Sequence, residues 1–194
     1  MPRHSRPERR RIFIGCEGES ERSYVRLLQD LCDASDRGLA VHLDSHIIPS
    51  TGGNAERILL GAMALIGRNT ARRDPYRSHF ILLDSDVAVE QRGESFLEDL
   101  SRRAMRAGIV LVWQRCCHEA LLLHHLPGRE RNTHHRSADA LRQLESVVPG
   151  YRKGWSADRL GRFITLEHVL RAAAVEPDLH ALLLEIGLIA QTSS

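Results

Sequence analysis

Glu17, Asp84 and Asp86 are the residues of this 194-residue chain best placed to do chemistry together. Each follows an apolar run: RIFIGC (11–16) leads into Glu17-Gly18-Glu19, and HFILL (79–83) leads into Asp84-Ser85-Asp86. Several carboxylates at one place repel and raise one another's pKa, so such a cluster is costly unless a cation or an arginine neutralises it. Oxygen-only donors favour hard Mg²⁺ or Mn²⁺, ions that keep some water and bind substrate phosphates. The competing explanation is helix capping, because an Asp at a strand end commonly caps the helix that follows. A cap accounts for either motif alone; two motifs, each directly after a core strand, favour a shared metal.

The elements that must position these acids are legible from periodicity. RIFIGC reads as a strand, and SERSYVRLLQDLC after it carries Tyr24, Leu27, Leu28 and Leu31 at helical spacing, with Ser20 as N-cap and Glu21 suited to that end of the helix dipole. LAVHLDSHIIP (39–49) places Val41, Leu43 and Ser45 on one face and breaks at Pro49, a second strand. STGGN (50–54) is a turn; Ile58, Leu59, Ala62, Leu65 and Ile66 then form one stripe of a helix capped by Asn54 or Thr51. HFILL is a strand buried on both faces. ESFLEDLSRRAMRAG (94–108) is amphipathic through Phe96, Leu97, Leu100, Ala104 and Met105 and stops at Gly108, and IVLVW (109–113) is a fourth strand.

Strands alternating with helices predict an α/β fold with a mostly parallel sheet covered by helices. HEALLLHHL (118–126), RSADALRQLESVV (136–148), TLEHVLRAAAV and DLHALLLEIG make the C-terminal third helical. No repeat or linker divides the chain, so one domain is expected over 11–194, preceded by a flexible basic arm over 1–10. Ligands of open α/β sheets bind beyond the carboxyl ends of the strands, where both acidic motifs fall.

Composition narrows the classes. Hydrophobic content of 42% and charged content of 27% are globular values, and no apolar run approaches the ~20 residues of a membrane helix. MPRHSRPERRR has no apolar segment of a secretory signal, so a cytoplasmic protein with no membrane partner is expected. Cys16, Cys32, Cys116 and Cys117 lack the spacing of a disulfide framework and are expected as free thiols. The formal charge of +2 hides an asymmetry, because residues 1–11 carry five arginines against one glutamate, which slightly favours a nucleic-acid partner.

Weaker candidates surround the acids. Arg152 and Lys153 could face the cluster and hold a substrate phosphate, or could equally be an exposed turn. His118, His124, His125, His134 and His135 lack zinc-ligand spacing and read as surface or supporting histidines. Cys16 reads as a small buried apolar group, and STGGN lacks the Lys-Ser/Thr of a P-loop.

The strings IFIGCEGESERSYVRLL and FILLDSDV resemble the Toprim domain shared by topoisomerases, DnaG-type primases, OLD-family nucleases and small RNA-maturation nucleases. With HEALLLHHL and GYRKGW added in order and spacing, residues from about 11 to about 175 resemble the RloB family, which is linked to restriction loci and phage defence. The resemblance implies that Glu17 is the Toprim glutamate and that Asp84 and Asp86 are the metal-binding pair. Val87, Ala88 and Val89 stand where many Toprim sequences have a glycine. Cys116, Cys117 and His118 stand where RloB relatives have a proline and an aromatic, so Glu119 receives no role here.

The expectation is therefore a Mg²⁺- or Mn²⁺-dependent Toprim-type nuclease acting on RNA or DNA, in phage defence or abortive infection. Asp84, Asp86 and Glu17 would be metal ligands; Glu17 would also serve as general acid/base, and Lys153 with the arginine arm would hold the strand. The alternative is a non-catalytic nucleic-acid or partner-binding defence subunit acting with a separate ATPase. A homo-oligomer is compatible with both.

Overall fold

The computed structural model describes residues 9–50, 54–70 and 75–190. Thr51, the centre of the STGGN turn and arm residues 1–8 lie outside them. The chain runs β1 (Arg10–Cys16), α1 (Glu19–Asp33), β2 (Val41–Ile47), α2 (Ala55–Thr70), β3 (Ser78–Asp84), α3 (Asp86–Arg92), α4 (Glu94–Arg106), β4 (Val110–Gln114), α5 (His118–His124), α6 (Ser137–Val147), α7 (Ala157–Leu160), α8 (Leu166–Ala173) and α9 (Pro177–Ile186). The four strands form one parallel sheet in the order β2-β1-β3-β4. The α/β class, the parallel sheet and the helical C-terminal part are as the periodicity predicts. Among the described residues no helix is long and apolar enough to cross a membrane.

Alternation along the strands sends neighbouring side chains to opposite faces. Ile12, Ile14, Cys16, Phe80, Leu82 and Val112 pack against α1 and the C-terminal helices, whereas Phe13, Ile81, Leu83, Leu111 and Trp113 pack against α2 and α4. Both faces of β1 and β3 are thus filled, which explains their unbroken apolar runs. All four cysteines are buried free thiols. Gly15 and Gly61 both make room for Ile48: a Cβ at Gly15 would stand 2.7 Å from its side chain, and one at Gly61 only 2.6 Å. These two glycines let α2 lie close on the sheet.

Several local expectations are corrected. The N-cap of α1 is Gly18, not Ser20, because the Glu21 carboxylate reaches back to accept the Gly18 N–H at 2.8 Å and starts the helix earlier. Asn54 does cap α2, its Oδ1 accepting the Arg57 N–H at 3.1 Å. Met105 is 68% exposed, so the buried stripe of α4 is the narrower set Leu97, Leu100 and Ala104. Arg10 belongs to β1 and Arg9 pairs with Asp33, so the chain is engaged with the body before residue 11. His118, His124 and His125 are buried, not superficial. The seven-residue α3 and four-residue α7 are too short to leave a periodic signature.

Unpaired strand edges invite association with other chains. Here side chains cover part of each edge. Gln29 acts as a one-residue substitute strand on β2, accepting the Leu43 N–H at 2.7 Å and donating to the Val41 carbonyl at 3.4 Å. On β4, Asp178 of α9 accepts the Trp113 N–H at 3.2 Å.

The helical layer is tied together by His124. Its Nδ1 meets Glu176 Oε1 at 2.6 Å and its Nε2 meets the Asn132 carbonyl at 2.7 Å; both partners are acceptors, so the ring donates twice and is an imidazolium. Burial opposes that charge, but the bonds to Glu176 and Asn132 and the charge of Glu176 outweigh it and raise the pKa above the usual histidine value. A raised folded pKa gives stability that is fully present below the unfolded value near 6.5 and is lost as pH rises through the folded one. Urea denaturation across this range should show wild type losing more stability than Glu176→Gln, by about 1–3 kcal/mol for a hydrogen bond to a charged group.

Candidate functional site

β1 and β3 are parallel neighbours with Cys16 opposite Leu82, so Glu17 and Asp84 emerge side by side at the carboxyl edge. Glu17 Oε2 accepts the backbone N–H of Asp84 at 3.3 Å. The Asp84-Ser85-Asp86 turn is fastened to the loop after β4: Ser85 N–H donates to the Gln114 and Cys116 carbonyls at 3.1 and 2.9 Å, and Asp86 N–H donates to the Cys116 carbonyl at 3.0 Å. Backbone bonds, not side-chain contacts, therefore fix the acidic pair. Ser85 occupies the N-cap position of α3, and Asp86 is the first helical residue, its Oδ1 accepting the Val87 N–H at 2.7 Å. Asp84 caps nothing. Its Oδ1 is buried and, among the described residues, has no hydrogen-bond partner.

Two further carboxylates complete the acidic cluster. Glu21, 5% exposed, approaches from the first turn of α1, and Glu119, 1% exposed, from the first turn of α5. Burial and then the charges of Glu21, Glu17, Asp86 and Glu119 push the Asp84 carboxyl up to about 9. Glu17 is also raised, first by burial and then by Glu21 and Asp86; the Asp84 N–H and Lys153 work in the opposite direction.

Lys153 is the cation that answers this charge. Its Nζ lies 3.8 Å from Glu119 Oε1, and its side chain is 62% exposed. Partial burial opposes its charge, but Glu119, Asp84 and Glu21 more than offset that and raise its pKa. The Tyr151 hydroxyl donates to Glu119 Oε1 at a long 3.5 Å. Arg152, the other candidate of the GYRKGW turn, is exposed and donates to the Tyr151 carbonyl, so of the pair only Lys153 pairs with an acid of the cluster.

Behind Glu119 the histidines are committed elsewhere. His118 Nδ1 meets Gln114 Nε2 at 3.0 Å, and burial lowers its pKa, so it is neutral. His125 is pushed down to about 3 by burial; its Nδ1 donates to the Leu121 carbonyl, leaving Nε2 to accept the Tyr24 hydroxyl at 2.9 Å. With His124 held by Glu176 and Asn132, and His125 by Leu121 and Tyr24, both ring nitrogens of these two histidines are engaged and neither is free to bind zinc.

Glu17, Asp84, Asp86 and Lys153 are thus brought to one edge, and Glu21 and Glu119 join them. Glu119 lies in the first turn of α5, five residues past the end of β4, so it shares the carboxyl edge with Glu17 without directly following its strand. Among the described residues no group of three His, Cys, Asp or Glu side chains already stands in metal-ligating arrangement. The donor set nonetheless fits a hard, partly hydrated cation, which needs only one or two direct carboxylates, and the partnerless Asp84 oxygen lacks the positive partner that such an ion supplies. No family model, curated protein or solved structure matches this chain.

A carboxyl that titrates near 9 when folded and near 3.8 when unfolded holds its proton more tightly in the folded state. In metal-free buffer wild type should lose stability as pH rises from about 5 to about 9, because only folding hinders release of that proton. Asp84→Asn, with no proton to release, should show a smaller loss and melt at or above wild type near pH 8. Thermal melts in EDTA over this range check it.

Proposed function

We propose that the chain is a Mg²⁺- or Mn²⁺-dependent phosphodiesterase of the Toprim type, cleaving RNA or DNA. The observation that carries this is the buried, partnerless Asp84 carboxylate oxygen inside a cluster of acids at the carboxyl edge between β1 and β3. A role in phage defence rests on the RloB resemblance alone.

Asp84 and Asp86 would hold the ion, with Glu17 as a further ligand, and the ion when bound would polarise a phosphoryl oxygen and offset the charge developing on it. The residues of the chain account for the rest. Glu17, with its pKa raised by burial and its acidic neighbours, is a stronger base than an exposed glutamate and suits proton transfer from the attacking water or to the leaving oxygen. Lys153 presents an exposed ammonium to a phosphate, while Tyr151 orients the Glu119 carboxylate against which that ammonium rests. Water adds to phosphorus, the bond from phosphorus to the leaving ribose or deoxyribose oxygen breaks, and that oxygen takes up a proton.

Labelled single-stranded RNA and DNA incubated with Mn²⁺ or Mg²⁺ should be cleaved by wild type, and Asp84→Asn or Asp86→Asn should lower the rate roughly 100-fold or more. Wild type should also gain stability on adding metal, about 2.7 kcal/mol at a hundred times its Kd, and the two variants should lose that gain. Identical melting responses in all three proteins, with no cleavage dependent on either aspartate, would reject the metal-site reading in favour of a non-catalytic binding subunit.

A further inference from the structure

A cleft of about 640 Å³ opens beside Asp86 and is walled by the β3–α3 turn, α3, the loop after β4 and the segment entering α6. Its volume lies within the range of sites that enclose ligands. The two sides differ in charge. Asp86, Glu90 and Glu94 lie on the α3–α4 side, while Arg115 and Arg136 come from the facing segments, with His135 beside Arg136. Both arginines are exposed, and among the described residues neither has a hydrogen-bonded or ion-paired carboxylate partner. Other arginines, such as Arg106 and Arg152, also lack an ion-paired carboxylate among the described residues; what distinguishes Arg115 and Arg136 is that both line one cleft next to Asp86. Arg115 acts on Asp178 through space without an ion-pair contact, so both guanidiniums keep their donors available in a cleft that also contains an acid of the candidate centre, and both are placed to take an anionic partner from outside the chain.

The cations of the site fall into two sets. Lys153 stands against Glu119, and neither of these residues lines the cleft; Arg115 and Arg136 line it, and neither is among the charges that shift Glu17, Asp84 or Lys153. A small phosphoester needs only the first set. We propose that Arg115 and Arg136 form a separate phosphate subsite for a nucleic-acid strand that runs along this cleft, so that the substrate is a chain with phosphates beyond the reacting one. This rests on the phosphodiesterase reading for the identity of the reacting group, but the binding it describes needs neither metal nor cleavage.

The test is fluorescence-anisotropy titration of a labelled twelve-nucleotide single strand with the full chain in EDTA, over a series of salt concentrations. Each phosphate contact on a single strand contributes about 0.7 to the slope of log K against log salt. Arg115→Ala with Arg136→Ala should therefore flatten the slope by about 1.4 and weaken binding, while Arg115→Lys with Arg136→Lys should restore most of the slope because the charges return. Arg102→Ala with Arg106→Ala, on the exposed side of α4, should leave it unchanged. A slope in the alanine pair equal to that of wild type, no binding by wild type, or equal competition by an acidic polypeptide would each overturn the subsite. If the slope falls as expected while Asp84→Asn leaves cleavage intact, the subsite stands and the metal-centre reading fails; the converse result removes the subsite alone.

Discussion

Negative charge gathered where two buried strands end is the condition to which the rest of the site responds. Two unit charges 4 Å apart interact by about 4 kcal/mol at the effective dielectric of a protein surface. Asp84 has Glu17, Glu21, Asp86 and Glu119 for neighbours, and one exposed lysine answers them. Full ionisation of such a cluster is untenable without a further cation, and the resolution within the chain is a protonated Asp84. The same carboxyl that carries the proton exposes an oxygen to no donor. Under the proposed reading, proton and metal ion would be alternative occupants of one position, which would tie affinity for a cation to pH.

Topology puts the acidic cluster where it is. From β1 the chain crosses to β2 on one side and returns to β3 on the other, so the strand order reverses between β1 and β3. Connections that leave such a point diverge to opposite faces of the sheet and open a crevice at its carboxyl edge. Glu17 is the first residue after β1 and Asp84 the last residue of β3, on either side of that crevice. Three N–H bonds from Ser85 and Asp86 to the loop after β4 then hold the turn without using any carboxylate oxygen of Asp84. Backbone groups hold the turn, and the Asp84 side chain takes no part in holding it.

The parts of this arrangement visible in the sequence are those written in local pattern. Apolar runs ending in E-G-E and D-S-D place two strands and the acids after them, and alternation with amphipathic helices forces the strands parallel. Glu119 receives no role from the sequence because the four residues Arg115-Cys116-Cys117-His118 separate it from the end of β4, so it looks like an ordinary first-turn acid. Glu21 escapes for a similar reason: its fit to the helix dipole is a sufficient explanation until its neighbours are known. The histidines are illegible for another cause. Whether His124 is buried and charged depends on Glu176, fifty-two residues away, and whether His125 is buried and neutral depends on Tyr24, one hundred and one away. Nothing in the H-H dipeptide distinguishes the two.

Lys153 shows how the same electrostatics bears on substrate. An ion pair with one partner 62% exposed and a separation of 3.8 Å contributes about 0–1 kcal/mol, so it does little to hold the GYRKGW turn in place. The aromatic packing of Tyr151 on Trp155, and of Trp155 on Phe163, does that instead. The ammonium is thus carried on a turn anchored by other contacts and is only weakly bound to Glu119. Under the proposed reading this weakness is what a phosphate clamp requires: an ammonium locked into a tight buried pair would have to break it before touching substrate. An ammonium that is 62% exposed can meet a phosphate while it stays beside the buried Glu119 carboxylate, so no buried charge has to be uncovered.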